Sequence, residues 1–190
     1  MNVVLASGSP RRKELMEMLG FDNLIIMPAK KEEVIPADTQ PGRTVEILAE
    51  SKCREVAELQ KPEDLIIAAD TIVWIDGRIL GKPHSRAEAK SMLTKLSGRT
   101  HEVYTGVCVI YNGKTTTVHE KTSVSFRELA EEEIEAYIET GEPMDKAGAY
   151  GAQGRGALFV RHIDGDFFNV MGLPVCRLGE ILRNQGVDII

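Results

Sequence analysis

The chain has 190 residues, of which 43% are hydrophobic and 27% charged, and a formal net charge of −6 at pH 7. That length suits one domain over residues 1–190 burying roughly 70% of its unfolded surface, and the acidic balance excludes a nonspecific nucleic-acid binder, which needs a broad basic surface. No apolar run is long enough to span a bilayer, and residues 1–13 carry no basic segment ahead of their short apolar run, so the expectation is a cytoplasmic protein with no membrane partner.

Asn2 to Ala6 predicts a short strand, and Ser7-Gly8-Ser9 a turn into a helix that has Ser9 as cap, Pro10 at its first position and Leu15, Met18 and Leu19 as its apolar stripe. Such a turn presents free backbone N–H groups at the positive end of a helix dipole, where phosphate binds readily. Arg11 and Arg12 stand in the first turn, where the dipole disfavours cations; an anion between them would explain the pair, and two exposed surface arginines would explain it equally. Leu24 to Met27 reads as a second strand. A polar loop holding Lys30, Lys31, Glu32 and Glu33 runs on to Pro41-Gly42, and nothing local singles out Glu33. From Thr44 to about Gln60 the pattern predicts a helix with Val45, Leu48, Ala49, Val56 and Ala57 inward, a Glu50–Arg54 pair on its surface and Lys52 as an ordinary surface lysine.

The central stretch is Leu65 to Pro83. Leu65 to Ala69 is a continuous apolar run that reads as a strand buried on both faces, and Asp70 follows where that strand leaves the core. Ligands of open α/β sheets collect beyond the carboxyl ends of strands. Thr71 to Ile75 is a second extended run, Asp76-Gly77 a hairpin signal, and Gly81-Lys82-Pro83 closes the unit, so one acid stands at the hairpin's entrance and one ammonium at its exit. As an isolated pair, Asp70 also reads as a carboxylate ending a strand and Lys82 as a solvated loop charge.

Ser85 to Glu88 is a capping box for a helix that turns Ala89, Met92, Leu93 and Leu96 inward and stops at Gly98. Thr100 to Tyr111 and Lys114 to Phe126 are extended runs joined by Asn112-Gly113, the strongest short hairpin signal. Gly113-Lys114-Thr115 is no Walker loop, because Cys108 stands where that pattern needs a glycine. A helix over Glu131 to Thr140 buries Ile134, Tyr137 and Ile138. The segment Asp145 to Gly156 then packs four glycines into nine residues, which lets backbone pass close to a ligand; Gln153 is its only neutral side chain able both to donate and to accept, hence the best candidate for reading a base edge. Ala157 to Ile163 predicts a last strand, and Pro174 to Asn184 a closing helix. Cys53, Cys108 and Cys176 are odd in number and far apart, which suits reduced thiols packed as small hydrophobes, and the four histidines show no metal-ligand spacing.

Leu5 to Arg12 with Leu15, Ala69-Asp70-Thr71, Gly81-Lys82-Pro83, Leu96 to His101 and Asp145 to Gly156 resemble, in order along nearly the whole chain, the successive signatures of the Maf family of nucleoside triphosphate pyrophosphatases. The resemblance implies an α/β fold related to the inosine triphosphate pyrophosphatases and Ham1 proteins: an elongated central mixed sheet flanked by helices, with two lobes and a deep cleft. It also implies cleavage between the α and β phosphates with a divalent cation, Mg²⁺ or Mn²⁺, and a homodimer. Thr71 and the segment around Gln153 are similar to the branch acting on dTTP and UTP. Carried over by position, the family pattern makes Asp70 the proton acceptor for the attacking water. It makes Arg12, Thr71 and Gln153 specificity positions. It sets Lys52, Lys82, Glu33 and the first loop with Ser7 and Arg11 around the phosphates and metal, Glu33 and Asp70 being the metal ligands. Ala152 stands where the family often has a bulkier apolar residue.

Those residue types suit the reaction. Hydrolysis at the α phosphorus requires neutralising a tetra-anion, holding pyrophosphate as leaving group and orienting water in line. Two rival readings are an inosine-type purine triphosphate pyrophosphatase, which needs a larger base pocket, and a non-catalytic nucleotide-binding regulator of septum formation. The second has no need of carboxylates beside a tetra-anion that they repel.

Overall fold

A computed structural model describes residues 1–31, 35, 36, 38–187 and 189. In chain order it contains β1 (Val3–Leu5), α1 (Pro10–Met18), β2 (Leu24–Ile26), α2 (Pro41–Ala57), β3 (Leu65–Ile75), β4 (Arg78–Leu80), α3 (Arg86–Leu96), β5 (Thr100–Tyr111), β6 (Lys114–Phe126), α4 (Glu131–Glu139), β7 (Val160–Asp164), α5 (Phe167–Met171) and α6 (Val175–Asn184). Three 3-10 turns, Glu142–Asp145, Ala147–Ala149 and Arg155–Phe159, lie between α4 and β7. One seven-stranded sheet runs β2-β1-β3-β5-β6-β7, with β4 paired to β3. It is mixed: β1 pairs in parallel with both β2 and β3, whereas β3–β4 and β6–β7 are antiparallel. The fold class expected from the sequence is therefore present.

The chain divides into two compact units, the first comprising Met1–Asp70, Thr105–Glu120 and Gly172–Ile190 and the second Thr71–Tyr104 and Lys121–Met171. In the first unit Val4, Ala6, Ala49, Cys53, Val56, Ile66, Ala68 and Cys108 form one buried cluster. α2 lies so close to β5 that a Cβ on Gly106 would fall 2.1 Å from the Val45 carbonyl oxygen. In the second unit the core joins Leu93 and Leu96 of α3, Ile134, Tyr137 and Ile138 of α4, and the aromatic rings of Phe126, Tyr150 and Phe159.

Several boundaries differ from the sequence expectation. β3 does not end before Asp70; it continues as one strand to Ile75, because the two extended runs are not separated by any turn residue. Its parallel partner β1 does end: Leu5 pairs with Ile67, and the Ala6 N–H to Ile67 carbonyl bond (2.8 Å) is the last between them. Asp70 thus lies beyond the carboxyl end of β1 rather than of its own strand. α2 starts at Pro41 instead of Thr44, with Gln40 as cap, since proline at the first helical position loses no hydrogen bond. Met16, not Met18, is buried on α1, and Met18 is 56% exposed. Residues 157–159 form a 3-10 turn before β7. Cys53 and Cys108 are buried free thiols as expected, but Cys176 is exposed. Both hairpin turns have the left-handed pair their sequences call for, φ 51° and 72° at Asp76 and Gly77 and 48° and 76° at Asn112 and Gly113.

Candidate active site

In the first unit the turn between β1 and α1 brings Ser7 and Arg12 into direct contact. The buried Ser7 Oγ accepts hydrogen bonds from the Ser9 N–H (3.2 Å) and from Arg12 Nη1 (3.1 Å), and Arg12 Nε donates to the Gly172 carbonyl (2.7 Å). Ser9 is the residue preceding α1, as expected, but its own side chain makes no capping bond; Ser7, two residues earlier, takes its N–H instead. Burial lowers the Arg12 pKa, the negative charge of Asp70 opposes that shift, and the neighbouring Arg11 reinforces it. Arg12 therefore feels both a like and an unlike charge from residues that the sequence had singled out.

Lys52 is not an ordinary surface lysine. From the middle of α2 its ammonium pairs with Asp70 Oδ1 on β3, and the two side chains keep only 24% and 17% of their exposure. Charges withdrawn from water this far are tolerated as a pair, and deleting one leaves the other uncompensated. Ser7, Arg11, Arg12, Lys52 and Asp70 are thus linked by hydrogen bonds, an ion pair or direct charge interaction within one unit. Glu33 lies outside the described residues. Among the described residues no three His, Cys, Asp or Glu side chains form a group able to hold a metal ion.

The second unit holds Thr71, Lys82 and Gln153. Thr71 follows Asp70 on β3 and is partly buried; strand alternation turns its side chain to the opposite face from Asp70. Lys82 and Gln153 are exposed, and neither side chain has a hydrogen-bond or ion-pair partner among the described residues. The Gly81 carbonyl, next to Lys82, accepts the Gly148 N–H (3.0 Å).

The glycines of the segment Asp145 to Gly156 make room for the protein itself. A Cβ on Gly148 would meet Val73 Cγ2 at 2.7 Å, on Gly151 Lys146 Cε at 2.7 Å, on Gly154 Glu142 Oε1 at 2.3 Å and on Gly156 the Gly151 carbonyl at 2.7 Å. Ala149 is fully buried with φ 60°, a conformation that a residue with a Cβ rarely adopts. Behind it the Tyr150 hydroxyl and His101 Nε2 are hydrogen-bonded (2.8 Å), while His101 Nδ1 has no partner. Burial lowers the His101 pKa to about 4 and raises those of Tyr150 and Tyr137.

Sequence reasoning passed over Glu142 and gave Tyr137 only a place in the core. A glutamate just past a helix and a tyrosine on an apolar helix face carry no local mark of the hydrogen bonds they make, and only the folded contacts reveal them.

A family model described as Maf-like protein matches residues 2–185. The chain belongs to the Maf-like family. A Bacillus cereus (strain ZK / E33L) relative named dTTP/UTP pyrophosphatase is 52% identical over 187 residues, covering 98% of this chain and 97% of that one, and a Bacillus anthracis relative of the same name is 51% identical over the same shares. Among solved structures, the Staphylococcus aureus Ham1 protein aligns with a TM-score of 0.56 at 14% identity, over 97% of this Maf-like chain and 100% of its own. A Coxiella burnetii HAM1 protein aligns with a TM-score of 0.55 at 17% identity, over 97% and 99%. At those identities the likeness is one of fold. No helix among the described residues is long and apolar enough to cross a membrane.

Proposed function

We propose that this Maf-like protein is a nucleoside triphosphate pyrophosphatase that hydrolyses dTTP and UTP to the monophosphate and pyrophosphate. The observation carrying this is the 51–52% identity, along 97–98% of both chains, to relatives named for that activity. The grouping of Ser7, Arg11, Arg12, Lys52 and Asp70 supports it, because a tetra-anionic substrate needs cations placed beforehand beside one proton acceptor. Water attacks the α phosphorus, the bond to the bridging oxygen breaks, pyrophosphate leaves, and the water's proton passes to Asp70. Lys52 engages Asp70 Oδ1, and Oδ2, which accepts no hydrogen bond from the described residues, is the atom for that proton. Arg11, Lys52 and Lys82 hold phosphate oxygens, with the Ser7 turn contributing its backbone N–H groups.

A divalent cation, Mg²⁺ or Mn²⁺, neutralises phosphate charge when bound. Asp70 and Glu33 are assigned as its protein ligands. Magnesium is commonly held by one or two carboxylates together with substrate phosphates and water, so two carboxylates suit an ion that arrives with the nucleotide.

Thr71, Arg12 and Gln153 read the base. A pocket that hydrogen-bonds a uracil edge rejects a different edge by ~10⁴-fold or more, whereas one methyl is worth only roughly 1–3 kcal/mol, so both dTTP and UTP are substrates and 5-modified uridine triphosphates fit as well. We place the protein in the cytoplasm as a homodimer, the state the family resemblance implies; its mass in solution by light scattering checks the latter.

The test is pyrophosphate release from UTP, dTTP, CTP and ITP with Mg²⁺ and with Mn²⁺. Preference for UTP and dTTP is expected. Preference for ITP would mean a purine enzyme, and tight dTTP binding without pyrophosphate release a regulator.

A further inference from the structure

The loop that carries Gln153 has few side-chain anchors of its own, and one carboxylate holds it. Glu142, in the first 3-10 turn after α4, accepts the Arg155 N–H at Oε2 (3.0 Å) and the Gly156 N–H at Oε1 (3.2 Å). The Tyr137 hydroxyl donates to Glu142 Oε1 (2.8 Å) and accepts the Gly151 N–H (3.1 Å). Backbone on both sides of Gln153, at 151 and at 155–156, is thereby tied to one glutamate and one tyrosine of the same unit. Gly154 completes the fit, since a Cβ there would fall 2.3 Å from Glu142 Oε1. The carboxylate is partly buried: burial pushes its pKa up, and the hydrogen bonds from Arg155, Tyr137 and Gly156, with the charge of Lys146, outweigh that and hold it below the usual carboxylate value.

An ionised carboxylate is the one common side chain that accepts with both oxygens and donates with neither, and bonds from backbone N–H to a charged acceptor are among the stronger ones in proteins. We infer that Glu142 is a positioning residue for base selection, fixing through the Arg155 and Gly156 amides where Gln153 stands. The inference rests on the proposed role of Gln153 and deepens it. Gln153 is exposed and its side chain has no protein partner among the described residues, so its place is set by its backbone alone. Cytosine carries an amino group where uracil carries O4. An amide displaced by an ångström no longer tells the two apart, although the phosphate-binding residues are untouched.

The experiment measures kcat/KM for UTP and CTP, with amide hydrogen exchange, on wild type, Gln153→Ala, Glu142→Gln and Gly154→Ala. Glutamine in place of Glu142 turns an NH₂ toward a backbone N–H and loses one acceptor; alanine at 154 displaces the carboxylate while leaving its charge. Each is expected to cut the UTP-to-CTP ratio by ~10-fold or more and to speed exchange of the Arg155 and Gly156 amides by about the same factor. In a Glu142→Ala background, Gly154→Ala is expected to have no further effect, because the atom it strikes is gone. An unchanged ratio in Gln153→Ala overturns the reading of Gln153 and the inference with it. A changed ratio there but not in Glu142→Gln or Gly154→Ala overturns the inference alone, as does faster exchange with an unchanged ratio. Should Glu142→Gln fail to fold, Gly154→Ala decides the matter.

Discussion

Around the candidate residues, the two units use charge in different ways. In the first, charged side chains answer one another: Lys52 with Asp70, Arg12 with Asp70 and Arg11, each delivered from a regular strand or helix. In the second, a charged side chain answers the backbone, Glu142 taking two main-chain N–H groups and a tyrosine hydroxyl in the loop of Gln153, whose side chain has no hydrogen-bond or ion-pair partner among the described residues. The difference suits the tasks proposed for the two groups. Phosphate charge is met by charge, which rigid elements place well, whereas a base edge is read by a neutral amide that must be aimed by something else.

The sharpest way to break the comparison is Asp70→Asn. If the first unit supplies the chemistry, pyrophosphate release from UTP falls by ~10³-fold or more while unfolding in urea stays cooperative. Near-normal turnover would remove the chemical role from that unit.

Acid titration probes the second unit. The buried His101 has a folded pKa of about 4 against 6.5 unperturbed, so the fold favours the neutral ring. Above pH 6.5 both states are neutral there and stability is full; as pH falls from 6.5 to 4 the unfolded chain takes up a proton that the folded one refuses. That difference is worth about 3 kcal/mol, lost over this window. Urea midpoints of wild type and His101→Phe across pH 7 to 4 check it, and parallel curves would refute it.

Arg12→Lys sharpens the picture of the first unit. One ammonium cannot reproduce the guanidinium fork that reaches both Gly172 and Ser7, and kcat/KM for UTP is expected to fall by ~10- to 100-fold. The smallest effect is structural. Ser85 caps α3 by accepting the Glu88 N–H (3.1 Å), and Ser85→Ala should cost about 1 kcal/mol of stability with kcat/KM unchanged. A kinetic change in that variant would extend the reading machinery of the second unit to α3.

Much of this was legible in the residues. β5 and β6 run over the spans expected, because long extended runs around Asn112-Gly113 admit only one register, and α3 starts at its serine cap. Asp70 was found through the apolar run before it. α5 was missed because five residues show no helical period, and its buried Asn169, which donates to the Val103 carbonyl (3.1 Å) and Thr122 Oγ1 (2.9 Å), is polar in a place where pattern reading expects carbon. The local pattern read Lys52 as a surface lysine and passed over Glu142 for one reason: charge type shows in a sequence, but its partner does not.

Periodicity, turn residues and the run of family signatures were enough to determine most elements of this Maf-like protein, its class of fold and several of the charges to watch. Tertiary structure alone decided that β3 runs on past Asp70, that Met16 rather than Met18 faces inward, that Lys52 pairs with Asp70, and that the glycines make room for the protein's own side chains. Local patterns record what a residue prefers within a few neighbours, whereas burial and partnership are set by segments tens of residues away that meet only in the folded chain.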